Sequence, residues 1–214
     1  MRDLADALLA VLLAPVCAAC QSPLAHPTRG CVCESCWAGV LTDPEPCCQR
    51  CGARVGGTPA RGIGLCAGCQ TVTSLVTRSA AVGPHAGSLR HILHALKYEG
   101  RRSLARSIAR LMRERAGHVL GDAAVLVPVP LHRSRLRQRG FNQADDLARG
   151  LGLPVLHALR RIRPTAVQAA LAAAERGPNV AGAFAATRQA RLLRGVTVVL
   201  VDDVRTTGAT LEAC

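Results

Sequence analysis

Apolar and polar positions follow one another along this chain in three rhythms. Residues 7–16 (Ala-Leu-Leu-Ala-Val-Leu-Leu-Ala-Pro-Val) form a nearly unbroken apolar run. It is too short to span a bilayer and predicts an amphipathic or buried N-terminal helix. Asp3 and Asp6 ahead of it, and Val16 before Cys17, argue against a cleaved signal peptide. Between residues 88 and 98, Leu89, Ile92, Leu93 and Leu96 recur at helical spacing, with Arg90, His91, His94 and Lys97 on the other side. After Gly100, Ser103 is placed to cap a second helix that turns Leu104, Ile108, Leu111 and Met112 inward and Arg106, Arg110 and Arg113 outward. Residues 124–127 and 196–201 are short aliphatic runs that predict buried strands. Between them, Asn142 predicts the N-cap of a helix through Leu147 to about Leu151. Strands alternating with helices predict an open α/β sheet with its ligand crevice at the carboxyl ends of the strands.

Composition changes this picture in two respects. The 214 residues allow one moderate domain plus a small module. Hydrophobic residues make up 49% but aromatics only 2%, so the core must be built from Ala, Leu and Val. The formal net charge of +13 points to polyanionic partners without choosing among phosphates, nucleic acid and acidic surfaces. Every basic residue is Arg except Lys97, which singles that lysine out. With no membrane-spanning segment, the sequence reads as cytoplasmic, and there eleven cysteines read as metal ligands rather than disulfides.

Ten of those cysteines lie between Cys17 and Cys69, and eight of them form four C-x-x-C pairs: Cys17/Cys20, Cys33/Cys36, Cys48/Cys51 and Cys66/Cys69. Two thiolates on one tight knuckle face one ion, and two knuckles complete a tetrahedron. The stretches between pairs one and two and between pairs three and four hold 12 and 14 residues, which suits two zinc ribbons. Cys31 and Cys47 stand as alternatives to Cys33 and Cys48. Gly52, Gly56, Gly57, Gly62, Gly64 and Gly68 offer the later knuckles and their connection positive-φ positions. Four thiolates per ion leave no open coordination position, so the zinc is expected to be structural. Cysteine then disappears until Cys214, and arginine becomes frequent. The division predicted is 1–75 for the N-terminal helix and zinc module and 76–214 for a second domain.

The candidate chemistry sits at the two strand ends. Val196–Val201 runs into Asp202 and Asp203, then into Thr206, Thr207, Gly208, Ala209 and Thr210. The threonine-glycine loop can wrap amides and hydroxyls around a phosphate. The paired acids suit sugar hydroxyls, which a carboxylate accepts as strong hydrogen bonds. Together they read as a ribose 5-phosphate site. An ordinary strand followed by a polar turn is the plain alternative, and it leaves the paired acids unexplained. The other strand runs through Pro128-Val129-Pro130-Leu131-His132 into Arg133, Arg135, Arg137 and Arg139. Arginine forks match phosphate oxygens in pairs, so this segment reads as a basic loop able to grip a pyrophosphate. Lys97 either reaches a phosphate oxygen or snorkels at the surface beside Tyr98.

The run Val199-Leu-Val-Asp-Asp-Val-Arg-Thr-Thr-Gly-Ala-Thr210 resembles the phosphoribosyl pyrophosphate (PRPP) signature of type I phosphoribosyltransferases. With the cysteine module, Leu96-Lys97-Tyr98, Pro-Val-Pro-Leu-His132, Arg139-Gly-Phe-Asn-Gln143 and the segment Arg163-Pro-Thr165…Gln168-Ala-Ala-Leu171…Glu175-Arg176…Asn179-Val180…Ala183-Phe184, the whole chain is similar to the ComF (GntX-like) competence-associated family. The resemblance implies a type I phosphoribosyltransferase-like, mainly parallel sheet behind a zinc-ribbon module. It implies PRPP with magnesium as ligand, and residues 163–184 as a mobile region closing over it. Asp202 and Asp203 would be catalytic, orienting the ribose hydroxyls beside a cationic transition state. Thr206, Thr207, Gly208, Ala209 and Thr210 would hold the 5-phosphate, and Arg135, Arg137, Arg139 and Lys97 the pyrophosphate. It also implies a role in DNA uptake, with single-stranded DNA and the uptake machinery as partners. The family pattern continues past the phosphate loop with a helix and a further strand, whereas this sequence stops at Cys214, about one turn into that helix, so it reads as truncated.

No side-chain set names the acceptor. Trp37, Tyr98, Phe141 and Phe184 are too scattered to define a base-stacking pocket, and His85, His91, His94 and His132 are candidates for a base. Two functions stand: phosphoribosyl transfer to an unidentified nucleophile, and a non-catalytic protein that senses PRPP and binds single-stranded nucleic acid.

Overall fold

The computed structural model describes residues 2–40, 47–53, 55, 64–166 and 171–214. Gly56, Gly57, Gly62 and the Gln168-Ala-Ala segment lie outside them. In chain order the elements are α1 (Arg2–Leu13), α2 (Glu34–Val40), α3 (Ala67–Thr71), α4 (Gly87–Tyr98), α5 (Leu104–Arg115), α6 (Gly117–Leu120), β1 (Val125–Pro128), α7 (Arg133–Arg139), α8 (Gln143–Arg149), β2 (Leu159–Arg161), α9 (Ala173–Val180), β3 (Phe184–Ala186), β4 (Val198–Val201) and α10 (Ala209–Ala213).

Two parallel strands carry the candidate site. β1 pairs with β4 in the register Val125↔Val198 to Pro128↔Val201. On its other edge the Leu126 N–H donates to Pro154 O at 2.8 Å and the Leu156 N–H to Leu126 O at 2.9 Å. β1 is therefore the central strand, and all four of its residues are buried, as a strand covered on both faces requires. The far edge of β4 faces an apolar cavity of ≈ 320 Å³, lined in part by Val82, Leu89, Ile108, Met112, Leu151 and Val199. This is a mixed α/β arrangement with a small parallel sheet. β2 and β3 form a separate antiparallel pair.

The two helices with the sharpest apolar periodicity bury the predicted faces. In α4, Leu89, Ile92, Leu93 and Leu96 are all buried, and in α5 so are Leu104, Ile108 and Leu111. Asn142 caps α8 by accepting from the Ala144 N–H at 3.2 Å. Ser103 precedes α5 but itself has helical angles (φ −56, ψ −26), so its hydroxyl is not turned back to cap the first turn. The basic segment after β1, expected as a loop, is a seven-residue helix. His132 Nδ1 accepts the Ser134 N–H at its start, and Gly140 closes its end in the left-handed region (φ 80).

The apolar side of α1 is not buried against the described chain: Leu8, Val11, Leu12 and Leu13 are 58–83% exposed. α1 is held instead by its polar side. Asp6 is buried and accepts the Thr28 N–H at 2.8 Å, with His26 Nδ1 at 3.3 Å. The Thr28 N–H is the main reason the Asp6 carboxyl sits below the usual range. Among the described residues no helix is long and apolar enough to cross a membrane.

α5 and α8 pack closely at Gly150. A Cβ there would lie 2.5 Å from the Cβ of the fully buried Ala109. Gly150 has ordinary helical angles, so alanine meets no backbone strain. The clash with a neighbouring helix decides the sign, and Gly150→Ala is expected to cost about 1–3 kcal/mol in urea denaturation.

Candidate functional site

Two cysteine groups fit metal ions: Cys17, Cys20, Cys33 and Cys36, and Cys48, Cys51, Cys66 and Cys69. Within each, the four sulfurs lie within 4.8 Å of one another. Cys20 and Cys33 Sγ are 3.7 Å apart, and Cys51 and Cys66 Sγ 3.6 Å. A tetrahedron with Zn–S bonds of about 2.3 Å has edges of about 3.8 Å, so the donor spacing already matches. These are the eight ligands the sequence pairing names, with Cys31 and Cys47 outside both groups.

Amides support the sulfurs. The Ala19 and Cys33 N–H groups donate to Cys17 Sγ, and the Ala53 N–H to Cys51 Sγ, each at 3.4 Å. Each group spans a wide range of acidity. Hydrogen bonds from Ser22 draw Cys20 down to about 6, while burial pushes Cys36 up to about 12. Burial would raise Cys48, but amides of Cys66, Cys51 and Arg50 bring it down to about 6; burial pushes Cys69 up to about 12. Among the glycines expected to serve the later knuckles, Gly52 has positive φ (67), whereas Gly64 and Gly68 do not.

The first group is built into the core: Cys17 and Cys36 are buried among Leu24, Val32 and Val40, and α2 packs on α4. The second group forms one wall of a cleft of ≈ 1430 Å³. Arg205, Thr206, Thr207 and Glu212 line the same cleft. Arg50 ties this group to the connecting segment by donating to Cys69 O at 2.6 Å and Val72 O at 3.2 Å. The Leu75 N–H in turn donates to Glu212 Oε2 at 3.1 Å, and the Ser74 hydroxyl donates to Oε1.

At the carboxyl ends of β1 and β4, the structure gathers charged side chains from distant parts of the chain. Asp202 and Asp203 follow β4 directly. Lys97, from the last turn of α4, places Nζ 2.8 Å from Asp203 Oδ2, with the two side chains only 17% and 7% exposed. It is not a surface lysine. Asp202 Oδ1 accepts the Asp203 N–H at 2.9 Å. Burial, and then the neighbouring Asp203 charge, push Asp202 up to about 8. At neutral pH the acid pair therefore carries close to one negative charge, which Lys97 neutralises. His85 borders the same cluster, and burial, followed by the Lys97 and Arg90 charges, lowers its pKa. His91, His94 and His132 make no such contact with the acids; His94 sits beside Tyr98 with ring centroids 4.8 Å apart.

The arginines of α7 divide. Arg135 and Arg139, one helical turn apart, are half-buried, while Arg133 and Arg137 are exposed. Arg139 donates to Gln143 Oε1 at 2.5 Å and lies 5.2 Å from the Tyr98 ring centre. Arg135 is close enough that its charge, after burial, helps lower the pKa of Arg161. Thr206 and Thr207 are exposed, Gly208 is buried with φ 84, and Ala209 and Thr210 open α10.

Arg161 escaped the sequence reading. β2 delivers it beside His132, to which it is bridged in parallel. Its guanidinium donates to Thr165 Oγ1, lies 5.1 Å from the Phe184 ring centre and feels the Asp202 charge, while its buried Nε has no acceptor. Leu-Arg-Arg has no alternation to mark it as a strand. The signal available was a third basic residue a few positions past an apolar run, at Val155. Cys214 also reaches this cluster; burial and then Asp202 push its thiol up to about 12.

No family model and no solved structure matches the chain. It is 34% identical over 210 residues to DNA utilization protein YhgH of Escherichia coli (strain K12), covering 92% of this chain and 87% of that protein. It is 28% identical over 206 residues to Competence protein F of Haemophilus influenzae, with the same coverage. Over 88 residues it is 39% identical to Competence protein ComFC of Bacillus subtilis, covering 41% of this chain and 35% of that protein. The chain belongs to the ComF family of competence-associated proteins.

Proposed function

We propose that the chain is a phosphoribosyltransferase-family protein that binds PRPP at the carboxyl ends of β1 and β4 and acts in the use of incoming DNA. The observation that carries this is the buried Lys97–Asp203 pair, 2.8 Å apart, beside Asp202, whose carboxyl is pushed up by burial and by the Asp203 charge. A desolvated acid pair at a strand end is costly to keep. It suits a neutral polyol, because Asp203 accepts one ribose hydroxyl while Asp202 either donates to or accepts from the other. The loop Thr206–Thr210 takes the 5-phosphate. Arg135, Arg139 and Arg161, with Lys97 once it turns from Asp203, hold the pyrophosphate, while Arg137 stays outside that group. Remote grip on both phosphates holds the anomeric carbon in line for an incoming nucleophile.

Among the described residues, the two cysteine groups are the ones that bring three or more metal-ligating side chains together. Magnesium would arrive with PRPP beside Asp202 and Asp203, and what it would supply is charge neutralisation on the departing pyrophosphate. Each cysteine group holds one structural zinc ion. The molecule divides into a zinc module, 1–75, and a type I phosphoribosyltransferase-like domain, 76–214. The wall of the large cleft carries Arg50, Arg78, Arg115 and Arg205, which supports contact with a single-stranded polyanion. The names of the relatives, DNA utilization and competence, fit that partner. Binding without transfer, as a PRPP sensor on single-stranded nucleic acid, uses the same residues.

Ligand linkage tests the site. PRPP with magnesium at about a hundred times its Kd is expected to raise Tm by about 5–10 °C. Asp202→Asn with Asp203→Asn is expected to remove the rise while the protein stays folded. An unchanged Tm in the natural protein overturns the reading.

A further inference from the structure

Arg205 stands out among the charged groups that the acid cluster leaves unused. It lies in the turn between β4 and α10, and its Nε and Nη1 are buried without an acceptor. The guanidinium is folded over Gly208, where a Cβ would lie 2.8 Å from Nη2 and 3.0 Å from Nε. Gly208 is fixed by its positive φ of 84, and its missing side chain leaves the space the guanidinium occupies. The nearby carboxylates are engaged elsewhere. Asp203 faces Lys97, and Glu212 binds Ser74 and the Leu75 N–H. A guanidinium cannot shed its proton, and two buried N–H-bearing nitrogens without an acceptor are costly to keep. The arrangement calls for an anion from outside the chain, one with several oxygens to match the fork.

We propose that Arg205 directly binds the phosphate monoester of the ligand, adding a cation to a loop that otherwise offers amides and threonine hydroxyls. The inference rests on the reading of this loop as the 5-phosphate seat and adds to it a residue outside the Thr206–Thr210 run.

The contact has a two-sided signature. Arg205→Leu removes two buried nitrogens that lack an acceptor, so the ligand-free variant is expected to melt higher than the natural protein. The same change is expected to weaken ribose 5-phosphate binding about tenfold or more, and Arg205→Lys to fall between. Calorimetry with ribose 5-phosphate, ribose and inorganic phosphate, beside Tm of each ligand-free protein, reads both. Ribose 5-phosphate affinity in Arg205→Leu within twofold of the natural protein overturns the proposal. So does lost affinity accompanied by a lower ligand-free Tm, which would assign Arg205 to holding the loop together. If Arg205→Leu loses inorganic phosphate while neither ribose 5-phosphate nor PRPP binds more tightly than phosphate alone, Arg205 keeps its role and the phosphoribosyl reading fails. If PRPP binds both proteins equally, the phosphoribosyl reading stands and the Arg205 contact falls.

Discussion

Stripping metal from the freshly purified protein is expected to release two equivalents of zinc and to unfold the N-terminal module. The scale follows from what each ion holds together. Structural zinc in small modules contributes about 10–16 kcal/mol at neutral pH, as much as the about 5–15 kcal/mol that stabilises a whole domain. The module has little else to rely on, because its described part buries few large apolar side chains besides Leu24, Val32, Trp37 and Val40. The two sites should not fail together. Cys17 and Cys36 belong to the same core as Leu89, Ile92 and Leu96, so Cys36→Ser is expected to loosen α2 and uncover one side of α4. Cys51, Cys66 and Cys69 are only half-buried beside the open cleft, so Cys69→Ser is expected to lose one ion while most helical signal remains. Chelator titration with a zinc-sensitive dye, followed beside far-ultraviolet circular dichroism, should show an early release with little helix loss and a later one coincident with unfolding. Fewer than one equivalent of zinc at the start would sink the assignment of both groups.

The parts of the fold that were legible in the sequence are those set by local pattern. The cysteine ligands could be paired by spacing alone, since each knuckle is complete within four residues. α4 and α5 were readable because one face of each carries a regular apolar stripe, and β1 and β4 because short aliphatic runs end in turns. What stayed hidden depends on tertiary neighbours. Within Arg133–Arg139 the sole apolar residue is Leu136, which is 42% exposed, so no periodicity announced α7; its two end residues fix it. Arg161 lies in a three-residue strand whose placement comes from pairing with β3 and bridging to His132. The partner of Lys97 was hidden for the same reason. Lys97 and Asp203 lie 106 positions apart, and only the packing of α4 beside the end of β4 brings them to 2.8 Å. The N-terminal run was legible as a helix, α1, but not in its surroundings, since its apolar stripe is left exposed by the described chain.

Lys97→Met is expected to cost the ligand-free protein about 3–5 kcal/mol at neutral pH, because removing one partner of a buried pair leaves an uncompensated charge. Low exposure on both sides keeps solvent from screening the loss. Adding Asp203→Asn to Lys97→Met should recover much of it, and the double-mutant cycle in urea isolates the pair. Asp202 makes a separate and opposite contribution. Its folded pKa of about 8 lies above the ordinary 3.8, so the folded protein holds a proton that the unfolded chain has released. Stability from this group is fully present below the unfolded value, falls as pH rises from about 4 to about 8, and is flat beyond. Asp202→Asn is thus expected to flatten the fall and to melt higher than the natural protein at pH 8.5 in the absence of ligand, while losing the rise produced by PRPP. Stabilisation together with loss of binding is the behaviour of a group kept for its ligand at the expense of the fold. A variant that melts lower than the natural protein at pH 8.5 would mean that the Asp202 carboxylate supports the loop itself, and the acid pair would then have to be explained without a sugar.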